Sequence, residues 1–447
     1  MLESLLIVFY VVAVAGRLSS FVGLGVDAVH VDIFDRLMTK ILWIAVYVLL
    51  VTVFLYKKRK WVIKKLLAIY QDLGSELSLF IRKYLKFEYF QLAIVSLIGA
   101  TISSIFAYKV KHGLIGVAYY AVLISIPFFV KHIWNPKIQK VFYKVIFLLN
   151  LIMLVIAYIQ FKTYFQGGEE HPFIRIFDSY GGFMPLSFFR LEHDGILYLR
   201  PSALMIDPNY LAIFAGFAVV FAYEHFRIIR NGNFKRWRKA GEIFLSLLGF
   251  ASAIGLIVIS GSRTGFIVLA VSTVSYWAAV LLYRLKRNRG KRSSSARKKS
   301  PIKLASVSVF DMLTNIKERF IGAITLQDES ARQHLVLAKI GLEIFKRFPF
   351  LGIGIGSYTF YYQDYFDVET LGATPHNAYI RVLAELGIVG FMWFSGFVIY
   401  FAKKALSKRS PLLISLLAGI LIGNMFQDFF MTPWNWFLLG LFLIEEY

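Results

Sequence analysis

The sequence contains no cysteine and few charged residues. The absence of cysteine excludes disulfide bonds, thiolate metal sites and a cysteine nucleophile. Charged residues make up 17% of the 447 residues, against about 25% in a typical soluble domain, whereas 58% are hydrophobic. Apolar segments of about 20 residues recur along the chain, and each could span a hydrocarbon core about 30 Å thick. These features predict a polytopic membrane protein.

The apolar segments predict an all-α fold of about 10–12 transmembrane helices, because a helix satisfies its own backbone hydrogen bonds inside a bilayer. The predicted spans are residues 2–16, 40–56, 88–107, 113–131, 142–161, 208–224, 242–260, 264–283, 379–402, 411–430 and a short one at 433–445. In residues 57–87, Lys and Arg alternate with apolar residues, a pattern typical of a helix lying at the membrane surface.

The net charge of +23 would also suit a nucleic-acid-binding protein. However, the excess Lys and Arg lie in short loops between apolar segments, which is the positive-inside pattern of membrane proteins. We therefore predict membrane lipid, and no nucleic acid, as a partner. The loops predicted to be cytoplasmic are residues 57–65, 131–140, 227–239, 284–299 and 403–409.

This orientation predicts the domain organisation, and it places residues 166–209, Arg263 and His376 on the external side. The first half of the chain is predicted to contain N-terminal transmembrane helices (1–161), an external loop (162–207) and transmembrane helices with a turn at Arg263 (208–283). A basic cytoplasmic loop (284–300) follows. The rest is predicted to be a crossing segment with an external catalytic region that includes an amphipathic helix (301–378), and C-terminal transmembrane helices (379–447). Because an even number of spans must separate Arg263 from His376, a second crossing is needed near 301–316. That segment is short for a span, and whether it crosses is left open.

Two external motifs precede transmembrane helices. In RPSALMIDPNYLA (200–212), Asp207 is suited to an N-cap and Pro208 to the first helical position, so the motif could be a simple helix start. In SGSRTG (260–265), small residues surround Arg263, whose planar guanidinium suits phosphate oxygens. The alternative is an interfacial arginine that reaches lipid headgroups.

Two further external motifs follow. The helix predicted over 331–347 is amphipathic and carries Arg332 in its first turn, where the helix dipole disfavours a cation. The run GIGIG (352–356) lacks the strand and lysine of a nucleotide-binding loop. In ATPHNAYIRVLAELGIVGFMWF (373–394), His376 lies at a helix N-terminus, which favours the neutral imidazole that a general base requires. It could equally be a capping or interfacial histidine.

Metal ligands are sparse in the sequence. The clusters EEH (169–171) and EHD (192–194) contain possible ligands, but no histidine pair has helical i,i+4 spacing. We predict no metal and no cofactor.

The four motifs together resemble the O-antigen ligase and O-antigen polymerase family of bacterial membrane glycosyltransferases. The resemblance is carried by DPNYLA (207–212), SGSRTG (260–265), DESARQHLVLAKIGLEIFKRFPFLGIGIGSY (328–358) and PHNAYIRVLAELGIVG (375–390), and it covers about residues 200–400. It implies a protein of the bacterial inner membrane whose active site faces the periplasm. It also implies two essential arginines and one essential histidine, which correspond here to Arg263, Arg332 and His376.

The resemblance implies transfer of a glycan from an undecaprenyl-diphosphate-type donor to a hydroxyl of an acceptor glycan or lipid-linked glycan, in O-antigen (lipopolysaccharide) or exopolysaccharide biosynthesis. Arg263 and Arg332 would bind the donor diphosphate, and His376 would be the base of a metal-independent, inverting displacement. Further residues predicted to line the pocket are Arg200, Asp207, Asn209, Ser262 and Asn377. The motifs do not separate a ligase from a polymerase. A transporter for a polysaccharide intermediate or another solute is the alternative, although its essential charges would be expected near the membrane midplane.

Overall fold

The structure is a computed structural model that describes residues 89–167, 190–193, 196–203, 205, 207–232, 236–289, 329–366 and 374–444. Its helices are α1 (Tyr89–Ile105), α2 (Val110–Ile133), α3 (Pro136–Gly167), α4 (Pro208–Asn231), α5 (Arg236–Ser260), α6 (Arg263–Arg289), α7 (Glu329–Arg347), α8 (Tyr358–Tyr365), α9 (Ala378–Ser407), α10 (Pro411–Phe426) and α11 (Pro433–Gly440). Two 3-10 turns, Phe429–Met431 and Leu441–Leu443, flank α11.

The all-α membrane fold predicted from the sequence is confirmed. Six helices, α2 to α6 and α9, are long and apolar enough to cross a membrane, and α1, α10 and α11 with its 3-10 turn are shorter apolar helices. Each overlaps one of the predicted spans. The spans predicted at 2–16 and 40–56, the interfacial segment 57–87 and the crossing segment 301–316 lie outside the described residues.

Local sequence signals set where several helices begin. The Asp207 carboxylate accepts a hydrogen bond from the backbone N–H of Asn209, and Pro208 occupies the first helical position, as predicted. Ser410 and Pro411 play the same two roles at the start of α10. Each cap satisfies a backbone N–H that the helix itself leaves without a partner.

Helix α4 lies at the centre of the bundle, where 78% of its apolar span is buried. It packs against α5, α6 and α10. Small residues allow the close approach of α4 and α6: a Cβ atom added at Gly265 would lie 2.2 Å from the Cβ of Ala212. Small residues at contacts between membrane helices let their backbones come together.

Helix α9 is broken at Gly387, which has φ +64° and ψ −164°. The segment 349–354 packs against the break and pairs with it through the backbone. The Ile388 N–H donates to the Pro349 carbonyl at 2.8 Å, and the Gly354 N–H donates to the Glu385 carbonyl at 2.9 Å. These bonds satisfy groups that the interrupted helix would leave unpaired inside a membrane. The GIGIG run therefore contacts helix backbone in this structure.

Two details near the predicted external loop differ from the sequence analysis. Helix α3 continues to Gly167, six residues beyond its predicted end at residue 161. The loop also contains an antiparallel hairpin of β1 (Arg190–His193) and β2 (Ile196–Leu199), with Arg190 opposite Leu199 and His193 opposite Ile196. Four-residue strands are too short to give a clear alternation of apolar and polar residues, so periodicity did not reveal them.

Candidate active site

The segment before α4 and the turn between α5 and α6 form one polar cluster. The Asn209 side-chain oxygen accepts hydrogen bonds from Arg200 Nη2 at 2.9 Å and from Ser262 Oγ at 2.7 Å. Arg200 Nε donates to the Ser260 carbonyl at 3.0 Å. The first two external motifs, more than fifty residues apart in sequence, are thus joined by direct hydrogen bonds.

Arg263 is the first residue of α6, directly after this cluster. The chain turns at Gly261, whose φ of +58° favours glycine, and Ser262 Oγ accepts a hydrogen bond from the Gly265 N–H at 3.2 Å. The turn places a half-buried guanidinium at the start of a membrane-spanning helix. Since a helix N-terminus also carries positive potential, this end of α6 favours an anion.

His376 lies two residues before α9, and Asn377 is the N-cap of that helix. Its backbone φ of +47° is rare for a residue with a side chain. The Nδ1 atom is 3.1 Å from Oε1 of Gln427, at the end of α10. In the tautomer in which Nδ1 donates to this amide oxygen, Nε2 of the ring keeps its lone pair. This is the arrangement that a general base needs.

The His376 ring stacks on the ring of His334, a residue of α7. Their centroids are 4.1 Å apart and the ring planes differ by 13°. His334 lies on the buried face of α7, one turn before the fully buried Leu337. The stack therefore joins the third and fourth external motifs, as Asn209 joins the first two.

The pKa of His334 is lowered from 6.5 to about 3. Burial is the largest cause, because it disfavours the charged imidazolium, and electrostatic interactions with His376, Arg263 and Arg200 lower the pKa further. These electrostatic effects require the three groups to lie around His334. The structure thus gathers Arg200, Arg263, His334 and His376 into one site of positive potential.

A buried polar network supports the start of α9. Arg381 forms an ion pair with Asp428, and its Nε atom is 3.1 Å from Oε1 of Glu385. Glu385 also accepts a hydrogen bond from the Tyr358 N–H at 3.2 Å. The Tyr210 hydroxyl donates to the Asp428 carbonyl at 3.2 Å, which ties α4 to the same network. The network therefore links α4, α8, α9 and the segment after α10 near His376.

The predicted site residues have different positions in this arrangement. Asp207 and Asn377 are helix caps, and the Asn377 amide also donates to the Met425 carbonyl at 3.0 Å. Arg332 lies two residues before His334 on α7, and its side chain is exposed. Residues two apart on a helix do not point the same way, so Arg332 and the stacked His334 project from different faces of α7. The contact of Arg332 with a donor stays a prediction.

The sequence analysis missed His334, Arg381, Gln427 and Asp428. Signals for two of them were present. His334 interrupts an apolar stripe that continues at Leu337 and Ile344, and Arg381 with Glu385 places charges inside a predicted span, which often marks a functional site. Gln427 and Asp428 follow an ordinary apolar helix and carry no such signal.

Within the residues that the structure describes, no three His, Asp or Glu side chains come together as a metal site would require. Of the two sequence clusters considered earlier, EEH (169–171) lies outside the described residues.

The fold and the site define a multi-pass membrane protein with a cationic, histidine-containing cluster at one end of its helix bundle. A comparison with protein families identifies the class: residues 247–395 match the O-antigen ligase family. The matched segment includes Arg263, Arg332, His334 and His376. The match covers about a third of the chain and confirms the family resemblance seen in its motifs. No curated protein matches the chain.

Proposed function

We propose that the protein transfers a glycan from a polyprenyl-diphosphate donor to a hydroxyl group of an acceptor glycan, in the assembly of a cell-surface polysaccharide. The O-antigen ligase domain supports the broader role, a membrane enzyme acting on glycans. The observation that carries the finer proposal is the position of His376: its Nδ1 lies 3.1 Å from Oε1 of Gln427, and its ring stacks on His334 beside a cationic cluster.

The donor diphosphate would lie against Arg263, with Arg200 extending the positive potential and Arg332 approaching from α7. Arg263 is suited to this role because its guanidinium presents several N–H donors in a plane and stands at a helix N-terminus. The cations would stabilise the charge that develops on the diphosphate as it leaves.

The reaction would be a direct displacement at the anomeric carbon. The acceptor oxygen forms a bond to that carbon, the bond from the carbon to the diphosphate oxygen breaks, and His376 Nε2 takes the proton of the acceptor hydroxyl. The bonding electrons leave with the diphosphate, and the anomeric configuration inverts. Fixed guanidinium groups would supply the positive charge at the leaving group, so the proposed step requires no metal.

The acceptor decides between a polymerase, which extends the glycan by repeat units, and a ligase, which attaches it to a lipid-linked core. We propose that the site faces the periplasm, because the basic loops predicted to be cytoplasmic lie at the other ends of α4, α6 and α9. The cationic cluster lies at helix ends, a position expected for a cleft at the membrane surface rather than a transporter's midplane cavity.

The test is glycan transfer by the purified full chain from a polyprenyl-diphosphate glycan, in the presence of EDTA. His376→Ala should lose at least about 100-fold in kcat, because general base catalysis contributes roughly 10²–10⁴. His132→Ala is the matched control, since His132 is a half-buried histidine that contacts the Phe128 carbonyl at 2.7 Å at the far end of α2. Equal turnover by wild type and His376→Ala would exclude His376 as the base. The product length would distinguish a polymerase from a ligase.

A further inference from the structure

A second cationic pocket lies at the end of the bundle opposite the candidate active site. It has a volume of about 480 Å³ and lies between the last turns of α4, the second half of α6 and the turn that joins α9 to α10. Helices α4, α6 and α9 all begin at the site and run toward this pocket. Helix α4 has 24 residues and is about 36 Å long at 1.5 Å per residue, and the two places lie near its opposite ends.

The described lining of this pocket contains four arginines and no acidic side chain. The arginines are Arg227, Arg230, Arg284 and Arg409. All four are exposed. They come from three separate parts of the chain, so their convergence is a product of the fold rather than of one basic loop.

A buried carboxylate holds one wall of the pocket. Arg227 donates to Glu224 through Nε at 2.8 Å and through Nη2 at 2.5 Å, and the Tyr276 hydroxyl donates to the same carboxylate at 3.1 Å. Glu224 is 1% exposed, and its negative charge compensates the positive charge of Arg227. The charges of Arg230, Arg284 and Arg409 leave the pocket strongly positive, which favours a phosphate-containing ligand.

The surface beside the pocket indicates what kind of phosphate it would bind. Trp277 lines the pocket and is 51% exposed. Val274 and Leu281 lie on the same side of α6, at i−3 and i+4 from Trp277, and are 68% and 57% exposed. On a membrane-spanning helix such a face contacts acyl chains. A soluble phosphate compound would make no use of it, whereas a phospholipid would place its headgroup among the arginines and its chains along α6.

We propose that this pocket binds the headgroup of an anionic phospholipid. Basic pockets between membrane helices are suited to such headgroups, and aromatic side chains such as Trp277 and Tyr283 favour the depth at which headgroups meet acyl chains. The site is distinct from the proposed active site and does not depend on the glycosyl transfer reaction.

The first test measures binding of phosphatidylglycerol to the full chain in detergent by native mass spectrometry. Arg284→Gln/Arg409→Gln should bind about 30-fold more weakly than wild type, since each basic residue near a membrane surface contributes a factor of about five. Arg238→Gln/Lys403→Gln is the matched control. It removes two exposed positive charges at the same end of the bundle, outside the pocket lining, and should bind like wild type.

Two further ligands distinguish the possible sources of the phosphate. Phosphatidylcholine, which is zwitterionic, should bind more weakly than phosphatidylglycerol, and millimolar glycerol 1-phosphate should not displace phosphatidylglycerol. Equal binding of both lipids, equal binding by both double variants, or displacement by glycerol 1-phosphate would each overturn the proposal.

A second measurement leaves the arginines intact, in case their removal prevents folding. In nanodiscs, brominated phosphatidylglycerol should quench tryptophan fluorescence more than brominated phosphatidylcholine does. The difference should disappear in Trp277→Phe, which keeps an aromatic ring in the pocket. Equal quenching by the two lipids in wild type would contradict the proposed site.

Discussion

At the scale of single residues, the unusual feature is the pair of stacked imidazoles. The neutral ring of His334 stacks on the ring of His376, with the two ring centroids 4.1 Å apart, and Oε1 of Gln427 lies 3.1 Å from Nδ1 of His376. Two stacked imidazolium ions would repel each other, so the contact favours a state in which His334 stays neutral. His334 is thus a positioning residue for His376 in the proposed mechanism.

The lowered pKa of His334 predicts how the stability of the protein depends on pH. Its pKa is 6.5 when exposed and about 3 in the fold, so between these values the unfolded chain binds the additional proton. The free energy of unfolding should therefore fall as the pH drops from about 7 toward 3. His334→Phe keeps a ring against His376 and should reduce this loss, as measured by the melting temperature across the pH range. An unchanged pH dependence in His334→Phe would show that His334 is not the source.

Arg263 is expected to contribute fixed positive charge to the transition state. Arg263→Gln should lower kcat by about 100–1,000-fold, the usual effect of removing one donor that stabilises a developing anion. Arg238→Gln, which removes an exposed arginine at the far end of α5, should have normal kcat. Steady-state transfer kinetics would check both. A change in KM alone for Arg263→Gln would mean that Arg263 binds the donor without stabilising the transition state.

At the scale of elements, sequence periodicity predicted the membrane helices well but not their interruptions. The long apolar runs of α2 to α6 each have a clear length and clear polar ends. The break in α9 was invisible, because Gly387 lies within a continuous apolar run and glycine is common in membrane helices. The segment 349–354, more than thirty residues away in sequence, supplies backbone hydrogen bonds at the break.

The break predicts that Gly387 tolerates no side chain. A Cβ atom there would lie 2.3 Å from the Phe350 carbonyl oxygen, and the backbone has φ +64°. Gly387→Ala should reduce the free energy of unfolding by at least about 2 kcal/mol, from backbone strain and overpacking together. Gly241→Ala is the control, because nothing lies within 4 Å of its added Cβ and alanine favours a helix. Thermal unfolding in detergent would compare the two, and equal melting temperatures would contradict the expectation.

The candidate site could be predicted only in part, because the signals in a sequence are local. Arg263, Asp207 and His376 stand at helix starts, where local sequence signals are strong, and the structure brings Arg200, Asn209 and Ser262 together as one cluster. Residues that enter the site by tertiary contact, Gln427 and Asp428 above all, have no local signature. The identity of a partner across a helix bundle cannot be read from one segment of sequence.

At the scale of the whole molecule, the bundle has two cationic ends with different chemistry. The end with His376 combines two stacked histidines, buried ion pairs and a turn rich in small residues. The other end has exposed arginines around an aromatic pocket. If the positive-inside pattern applies, the arginine pocket faces the cytoplasm and His376 faces the periplasm.

The absence of cysteine gives a direct test of this orientation, because a single introduced cysteine is the only thiol. Thr374→Cys lies two residues before His376, and Ser407→Cys lies at the far end of α9. A maleimide that cannot cross the inner membrane should label Thr374→Cys in cells with a permeabilised outer membrane, and should label Ser407→Cys only after lysis. Labelling in the reverse order would invert the topology.

The broken α9 also fixes a spacing in the chain. Segment 349–354 anchors α9 at Gly387, and Gln427 holds His376 at the other end of the first half-helix. One residue inserted between these anchors would rotate the imidazole by about 100° around the helix axis and move it about 1.5 Å along it. Single-residue insertions and deletions between residues 378 and 386 should therefore abolish transfer even where substitutions at the same positions are tolerated.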